Sequence, residues 1–295
     1  MARILVIGSI NADRMVQLSA PLSAGRVQGT EMGIFTGGAG SNTGTALARL
    51  GHEVVLASAL GRGPRGDAML ADLAARGINV DHVARPEAAI SEPLILISPE
   101  RERTILFVAP QGGPDRASLK KALDPLAFPG PWDGIYIANP TAEAQALVDD
   151  NFGRCPILGQ WYAHFPAPRA NGLIAAHDAL EAVPDFPNTA NGQAAEWLVV
   201  THGARGADAL LRDGQRLLRP AQAVTDVVDT TGAGDAYAGG LLHGMVSGWA
   251  LHQSMDFAAR LGAEQVRVLG PVPPASIASM ALQDVVRTAE AEHAG

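Results

Sequence analysis

DTTGAGDAYAGG, residues 229–240, is the stretch on which the reading of this chain turns. Gly232 and Gly234 let a tight turn aim its amides outward, and AYAGGLLHGMV behind them has the small residues of a closely packed helix. The free N–H groups and dipole of such a helix start bind an anion without any lysine. Asp235 falls in the first turn, where two readings stay open from the residues alone. It is an acid that complements the helix dipole, worth about 0.3–1 kcal/mol, or a base that takes a proton from a hydroxyl attacking a phosphate. In the second role the dipole is expected to lower its pKa and keep it ionised.

The rest of the composition narrows the chemistry. The chain has 295 residues, 47% hydrophobic and 18% charged, which fits a soluble globular protein with a sizeable core. A net charge of −8 offers no basic field, so no nucleic-acid partner is expected. No run of 18 residues is purely apolar, so no membrane partner is expected either. MARILVIGSINAD reads as a first strand rather than a signal peptide, which makes the cytoplasm the default location. Cys155 is alone, which excludes an internal disulfide and a cysteine cluster for zinc. Lys120 and Lys121 are the only lysines, and neither follows a glycine nor stands isolated on a strand. A Walker A loop and a protein-kinase site are therefore absent. Any nucleotide phosphate must be held by amides, arginines and a metal.

Apolar, β-branched runs at 3–10, 53–60, 133–138, 156–160 and 197–201 read as buried strands. Helical patterns at 41–51, 66–77, 117–123, 141–150 and beyond 234 separate or follow them, the first two stopping at Gly51 and Gly77. This alternation predicts an α/β fold with a mostly parallel sheet covered on both faces. Residues 14–36 and 90–109 break it: both are β-like without a helix, the second with PERE as a hairpin turn. They are expected to form a small sheet over the strand ends, where open α/β sheets bind ligands. No repeat or linker divides residues 1–295, which are read as one domain.

Three further stretches carry polar chemistry. In GSINADR (8–14), Ser9, Asn11 and Asp13 follow a strand directly, placed to line a crevice or to form a plain turn. In GGAGSN (37–42), glycines allow close backbone approach and Asn42 suits a pair of sugar hydroxyls; otherwise this is a glycine-rich connection with Ser41 as N-cap. Its spacing does not fit a dinucleotide fingerprint. THGARG (201–206) ends a strand with a turn fit for a nucleotide contact or for nothing more, and His202 reads as a polar loop residue.

In this order the four stretches resemble the ribokinase-like (PfkB) family of sugar kinases, from the first strand to about residue 274. GGAGSN is similar to the sugar-side GG-x-G-x-N pattern, and DTTGAGDAYAGG to the carboxy-terminal signature. The resemblance implies a doubly wound sheet with a β lid and ATP as phosphoryl donor. It implies Asp235 as the base, with the amides of Gly232, Ala233 and Gly234 as the anion hole for the γ-phosphoryl. Asn11, Asp13, Gly38 and Asn42 would hold the sugar, and Thr201 and Gly203 would lie along the nucleotide. Three positions depart from the pattern. No asparagine has a glutamate three residues later, so the expected Mg²⁺ pair is Asp178 and Glu181, which are otherwise a solvated helix face. Ala39 stands where related enzymes often have lysine. A K⁺ site could draw on Asp229, Thr231 and Gly270, yet Pro274 replaces a hydroxyl ligand.

The expected activity is ATP-dependent phosphorylation of the terminal hydroxymethyl of a free pentose or ketose. A nucleoside acceptor is the alternative, with Phe35 and Phe107 as platforms for a base, and a non-catalytic sugar or nucleotide sensor is a third reading. Arg14 is the only cation in the sugar-side motifs, which disfavours a phosphorylated acceptor. The edges of the lid suit a homodimer formed lid to lid.

Overall fold

β1 (Arg3–Ile7) is the strand around which the main sheet is built, and four of its five residues are buried. A continuous apolar run of this kind belongs to a strand covered on both faces. Residues 1–23, 25–101, 103–107, 130–139, 141–162, 168–177, 186 and 195–280 are described by this computed structural model. The other strands, in chain order, are β2 (Asn11–Leu18), β3 (Gly29–Gly37), β4 (Glu53–Ala59), β5 (Ile78–Asn79), β6 (Val83–Ala84), β7 (Leu94–Ile97) and β8 (Arg103–Leu106). They continue with β9 (Gly134–Ile137), β10 (Ile157–Gln160), β11 (Gly172–Ala176), β12 (Trp197–Thr201), β13 (Ala207–Leu211) and β14 (Arg216–Arg219). The helices are α1 (Ala39–Arg49), α2 (Pro64–Ala75), α3 (Ala142–Asn151), α4 (Ala233–Val246) and α5 (Leu251–Gln265).

The main sheet runs β14-β13-β12-β11-β10-β9-β1-β4-β5, with β6 also on β4. All neighbours from β12 to β5 are parallel, and only β13 and β14 are antiparallel. Alternate residues of β1 serve opposite faces, as the period of a strand requires. Ile4 and Val6 join a core with Leu47 of α1, Leu73 of α2, Leu241 of α4 and Met255 of α5. Leu5 and Ile7 join a second core with Leu147 and Val148 of α3 and with Trp132. The sheet is thus doubly wound, as the alternation predicts.

Besides the two-residue β5 and β6, three strands escape that alternation. GLIAA becomes β11 although glycine and alanine are weak strand formers. Tertiary packing decides it: the Trp197 ring of β12 lies where a Cβ on Gly172 would stand, 2.1 Å from it. β13 and β14 form a hairpin around Asp213-Gly214, a recognised turn signal that strand-helix bookkeeping passes over. The predicted helix 117–123 lies outside the described residues.

The two helix-free segments form the expected small sheet, ordered β3-β2-β7-β8, with a bulge between Met15 and Val16. Register puts Met15 beside Ile95, Ile95 beside Ile105 and Ile97 beside Arg103, so these residues share one face with Asp13. Met15, Ile95 and Ile97 make a small core there with Met32 and Phe35. Arg14 points to the other face, where it pairs with Glu31 at 2.7 Å and with Glu92, which also pairs with Arg65 of α2.

Candidate active site

Passing from β1 the chain goes to β4 on one side and to β9 on the other. Such a reversal opens a crevice at the carboxyl ends of the strands. β2 starts there, and α1 starts beside it with the Gly40 and Ser41 amides on the Ser9 carbonyl at 3.1 and 3.3 Å. Asn11 and Asp13 are both buried. Gly37 must lack a side chain, because a Cβ on it would lie 1.9 Å from Asp13 Oδ2. The Gly38 amide donates to the Asp13 carboxyl.

Asn42, in the second turn of α1, donates from Nδ2 to Asp235 Oδ2 at 2.7 Å. The carboxylate only accepts, which assigns the nitrogen to that side. Asn42 Oδ1 is buried and has no hydrogen-bond partner among the described residues. Thr43 Oγ1 donates to the Asp235 carbonyl at 3.3 Å. α4 and α1 thus bring residues 193 positions apart in the chain into one contact.

Gly232 caps α4 with φ 78°, the left-handed region, and helical bonding begins with the Ala236 amide on the Gly232 carbonyl at 2.9 Å. The amides of Ala233, Gly234 and Asp235 therefore come before the helical ladder. That of Ala233 has only a long contact, 3.4 Å, to the Thr230 carbonyl.

Burial holds both carboxyls above the usual range. Asp13 is pushed up to about 7, by burial first and then by the Asp235 charge, against the Gly38 amide and Arg103. Asp235 is raised by burial, against the Asn42 hydrogen bond and Arg103. The helix dipole was expected to lower Asp235. Loss of water around the carboxyl outweighs it.

A stability effect follows for Asp13. Between its ordinary value of 3.8 and about 7 the folded chain binds more protons there than the unfolded chain, so stability falls as pH rises through that window. Asp13→Asn should remove this loss. Its gain in unfolding free energy grows from about pH 4 to 7 and levels on the order of a few kcal/mol. Urea unfolding at pH 4.5 and 8 checks it, and equal gains at both would refute the argument.

Arg103 reaches the crevice from the lid. Its Nη1 donates to the Thr230 carbonyl at 3.1 Å, and Arg101 Nη1 donates to the Val228 carbonyl at 3.0 Å. The β7–β8 turn is thereby docked on the loop that leads into α4. Tyr136, whose hydroxyl donates to Gln160 Oε1 at 3.2 Å, and Tyr162 complete the surroundings. Burial and the Asp235 charge raise both phenols, Tyr162 to about 12.

Arg103, Gln160 and the two tyrosines are absent from the sequence reading. Arg103 could have been sought, since it alternates with Ile105 along β8 on the face that register shares with Met15 and Asp13. The tyrosines could not, because nothing local marks them.

Thr201 and Gly203 stand at the carboxyl end of β12, on the same edge of the sheet. Asp229, Thr231 and Gly270 do come together: Asp229 Oδ1 accepts from the Thr231 amide and hydroxyl at 2.9 and 2.8 Å, and Oδ2 from the Gly270 amide at 2.9 Å. Asp178 and Glu181 lie outside the described residues, and no metal-like group of three His, Cys, Asp or Glu occurs among the described ones. No helix among them is long and apolar enough to cross a membrane.

Residues 1–128 and 173–278 match the description "pfkB family carbohydrate kinase". The chain belongs to that family. As a pfkB carbohydrate kinase it is 26% identical over 300 residues to the ribokinase of Schizosaccharomyces pombe, covering 92% of this chain and 93% of the relative. Among solved structures, the ribokinase of Thermotoga maritima superposes with a TM-score of 0.73 at 18% identity, over 96% of this chain and all of that one. The nucleoside kinase of Burkholderia thailandensis in complex with inosine gives 0.73 at 20% identity, over 92% of each chain. Both likenesses show the ribokinase fold. This pfkB kinase therefore has the ribokinase-fold main sheet, with its own small four-stranded sheet beside the crevice just described.

Proposed function

We propose that this kinase transfers the γ-phosphoryl of ATP to the terminal hydroxymethyl of a free sugar, a pentose or ketose, with Asp235 as the base. The observation that carries the reading is the Asn42–Asp235 contact: it sets the acid of the carboxy-terminal signature directly against the sugar-side motif. Asp13 and Asn11 accept and donate to sugar hydroxyls, and Asn42 Oδ1 supplies a further acceptor. The acceptor oxygen bonds to the γ-phosphorus while the bridging bond to the β-phosphate breaks. ADP leaves with that electron pair, and the hydroxyl proton passes to Asp235. The amides of Gly232, Ala233 and Gly234 receive the phosphoryl oxygens. Gly38 closes the sugar side, and Thr201 and Gly203 flank the nucleotide.

ATP enters as its Mg²⁺ complex, and no step is assigned to the Asp178–Glu181 pair, which lies outside the described residues. With Ala39 in place of a lysine, Arg103 is the cation that faces both carboxyls. Arg103→Gln should lower kcat about tenfold to a hundredfold with little change in KM for ATP. Steady-state kinetics checks this, and a change in KM alone would count against it.

A nucleoside acceptor is the second reading. Phe35, partly buried against the small core of Met15, Ile95 and Ile97, offers a base a platform; Phe107, 70% exposed, stands just beyond β8. Arg14 is committed to Glu31 and Glu92 on the opposite face, which leaves a phosphorylated acceptor without its expected partner. An intact Asp235 and glycine turn speak against a sensor. Exposed Ile34, Leu106 and Phe107 at the lid suit a homodimer. The deciding experiment is ATP consumption across free sugars, nucleosides and sugar phosphates. Turnover of a free pentose or ketose above all others supports the first reading, of a nucleoside the second, and of none defeats both.

A further inference from the structure

The family resemblance implies a monovalent cation beside the anion hole, at Asp229, Thr231 and Gly270. The residues present do not leave that position open. Gln265, the last residue of α5, is fully buried, and its Nε2 donates to the Thr231 carbonyl at 2.9 Å and to the Gly270 carbonyl at 2.8 Å. Nε2 is assigned to that place because, with no ion between them, Oε1 would bring three acceptors together; Oε1 itself is buried without a hydrogen-bond partner among the described residues. Both amide hydrogens are used at ordinary hydrogen-bond distances. One nitrogen thus stands between the two carbonyls, where a large monovalent ion bridging them would stand.

The other expected ligands are also committed. Asp229 Oδ1 already accepts from both Thr231 donors, and Oδ2 accepts from the Gly270 amide. Pro274 has no hydroxyl to offer. An ion would have to displace the Gln265 amide and leave two N–H groups unpaired in a fully buried place, which is unfavourable. Backbone contacts join the same two segments, since the Val228 and Asp229 amides both donate to the Val266 carbonyl, at 2.8 and 3.2 Å.

We infer that Gln265 is a positioning residue whose side-chain amide replaces a monovalent ion, so that this kinase works without K⁺. By tying Thr231, the residue before Gly232, to Gly270, it holds the turn that presents the phosphoryl-binding amides. The inference rests on the proposed function only for its catalytic readout.

The test compares the unaltered chain with Gln265→Ala and Gln265→Met in KCl, NH₄Cl, NaCl and N-methyl-D-glucamine chloride at one ionic strength. Readouts are kcat with the fastest acceptor of the screen and the thermal unfolding midpoint without substrate. The unaltered chain should give the same midpoint, and kcat within about twofold, in every salt. Gln265→Ala should lose about tenfold or more in kcat without K⁺ or NH₄⁺. Either ion should restore kcat and raise the midpoint, because the truncated side chain leaves room for it. Gln265→Met fills the space without a donor and should stay slow in all four salts. A mere packing role predicts an active Met variant and no ion rescue.

Several-fold activation of the unaltered chain by K⁺, or full activity of Gln265→Ala in every salt, would overturn the inference. If neither variant folds, the midpoint of the unaltered chain decides: a rise in KCl over N-methyl-D-glucamine chloride overturns it, and equality upholds it. Absence of turnover with every acceptor would sink the kinase reading, while the unfolding measurement would still report on Gln265.

Discussion

Asp235→Asn is expected to lower kcat by about a hundred- to ten-thousandfold, the share a positioned general base contributes. The substitution is nearly isosteric, and Asn42 Nδ2 can still donate to the remaining oxygen. The lost capacity is therefore the acceptance of a proton, and ADP affinity by calorimetry should change little. The pH profile adds a second test. Burial raises the Asp235 carboxyl, and a base works only when deprotonated. Turnover in the unaltered chain should then fall on acidification at a pH above the ordinary carboxylate range. A variant at position 235 retaining more than about a tenth of normal kcat would falsify the base assignment.

Gly232→Ala is the second large effect. At φ 78° an L side chain is strained, and the added Cβ would lie 2.6 Å from the Pro271 carbonyl oxygen and 3.1 Å from its carbon. The obstacle is backbone, so the turn itself must move. Strain and clash together should cost about 1–3 kcal/mol in unfolding free energy. Catalysis should suffer more. The amides of Ala233 and Gly234 would leave the positions where phosphoryl oxygens are received, and loss of one such donor lowers kcat by about a hundred- to a thousandfold. KM for the sugar should barely change, since Asp13 and Asn42 are held from β2 and α1. Normal kcat in a folded variant would show that this turn does not shape the phosphoryl site.

Much of this architecture is legible locally because its signals are local. β1 and β12 are continuous apolar runs, α1 and α2 stop at glycines, and DTTGAGDAYAGG carries its own turn and helix start. β11 is less legible, since its glycine is explained only by a tryptophan on the next strand. Arg14 reads as a site cation from its neighbours in sequence, and alternation along β2 sends it to the opposite face. Arg103 follows the PERE turn with nothing local to mark it for the site, and the docked lid carries it to Thr230.

The chain's own residues thus determine a doubly wound sheet, a glycine-cradled helix start without any lysine, and the acid at its head. Period, turn chemistry and composition act over a few residues, and each is visible in the string of letters. Tertiary structure alone decides the state of that acid and the fate of the cation position. Burial raises Asp235 where the helix dipole, judged locally, would lower it. Gln265 meets Thr231 from 34 residues away and takes carbonyls at a position that the family resemblance had marked for an ion. Desolvation and the pairing of buried donors depend on what surrounds a group from every side, and that exists only once the chain has closed on itself.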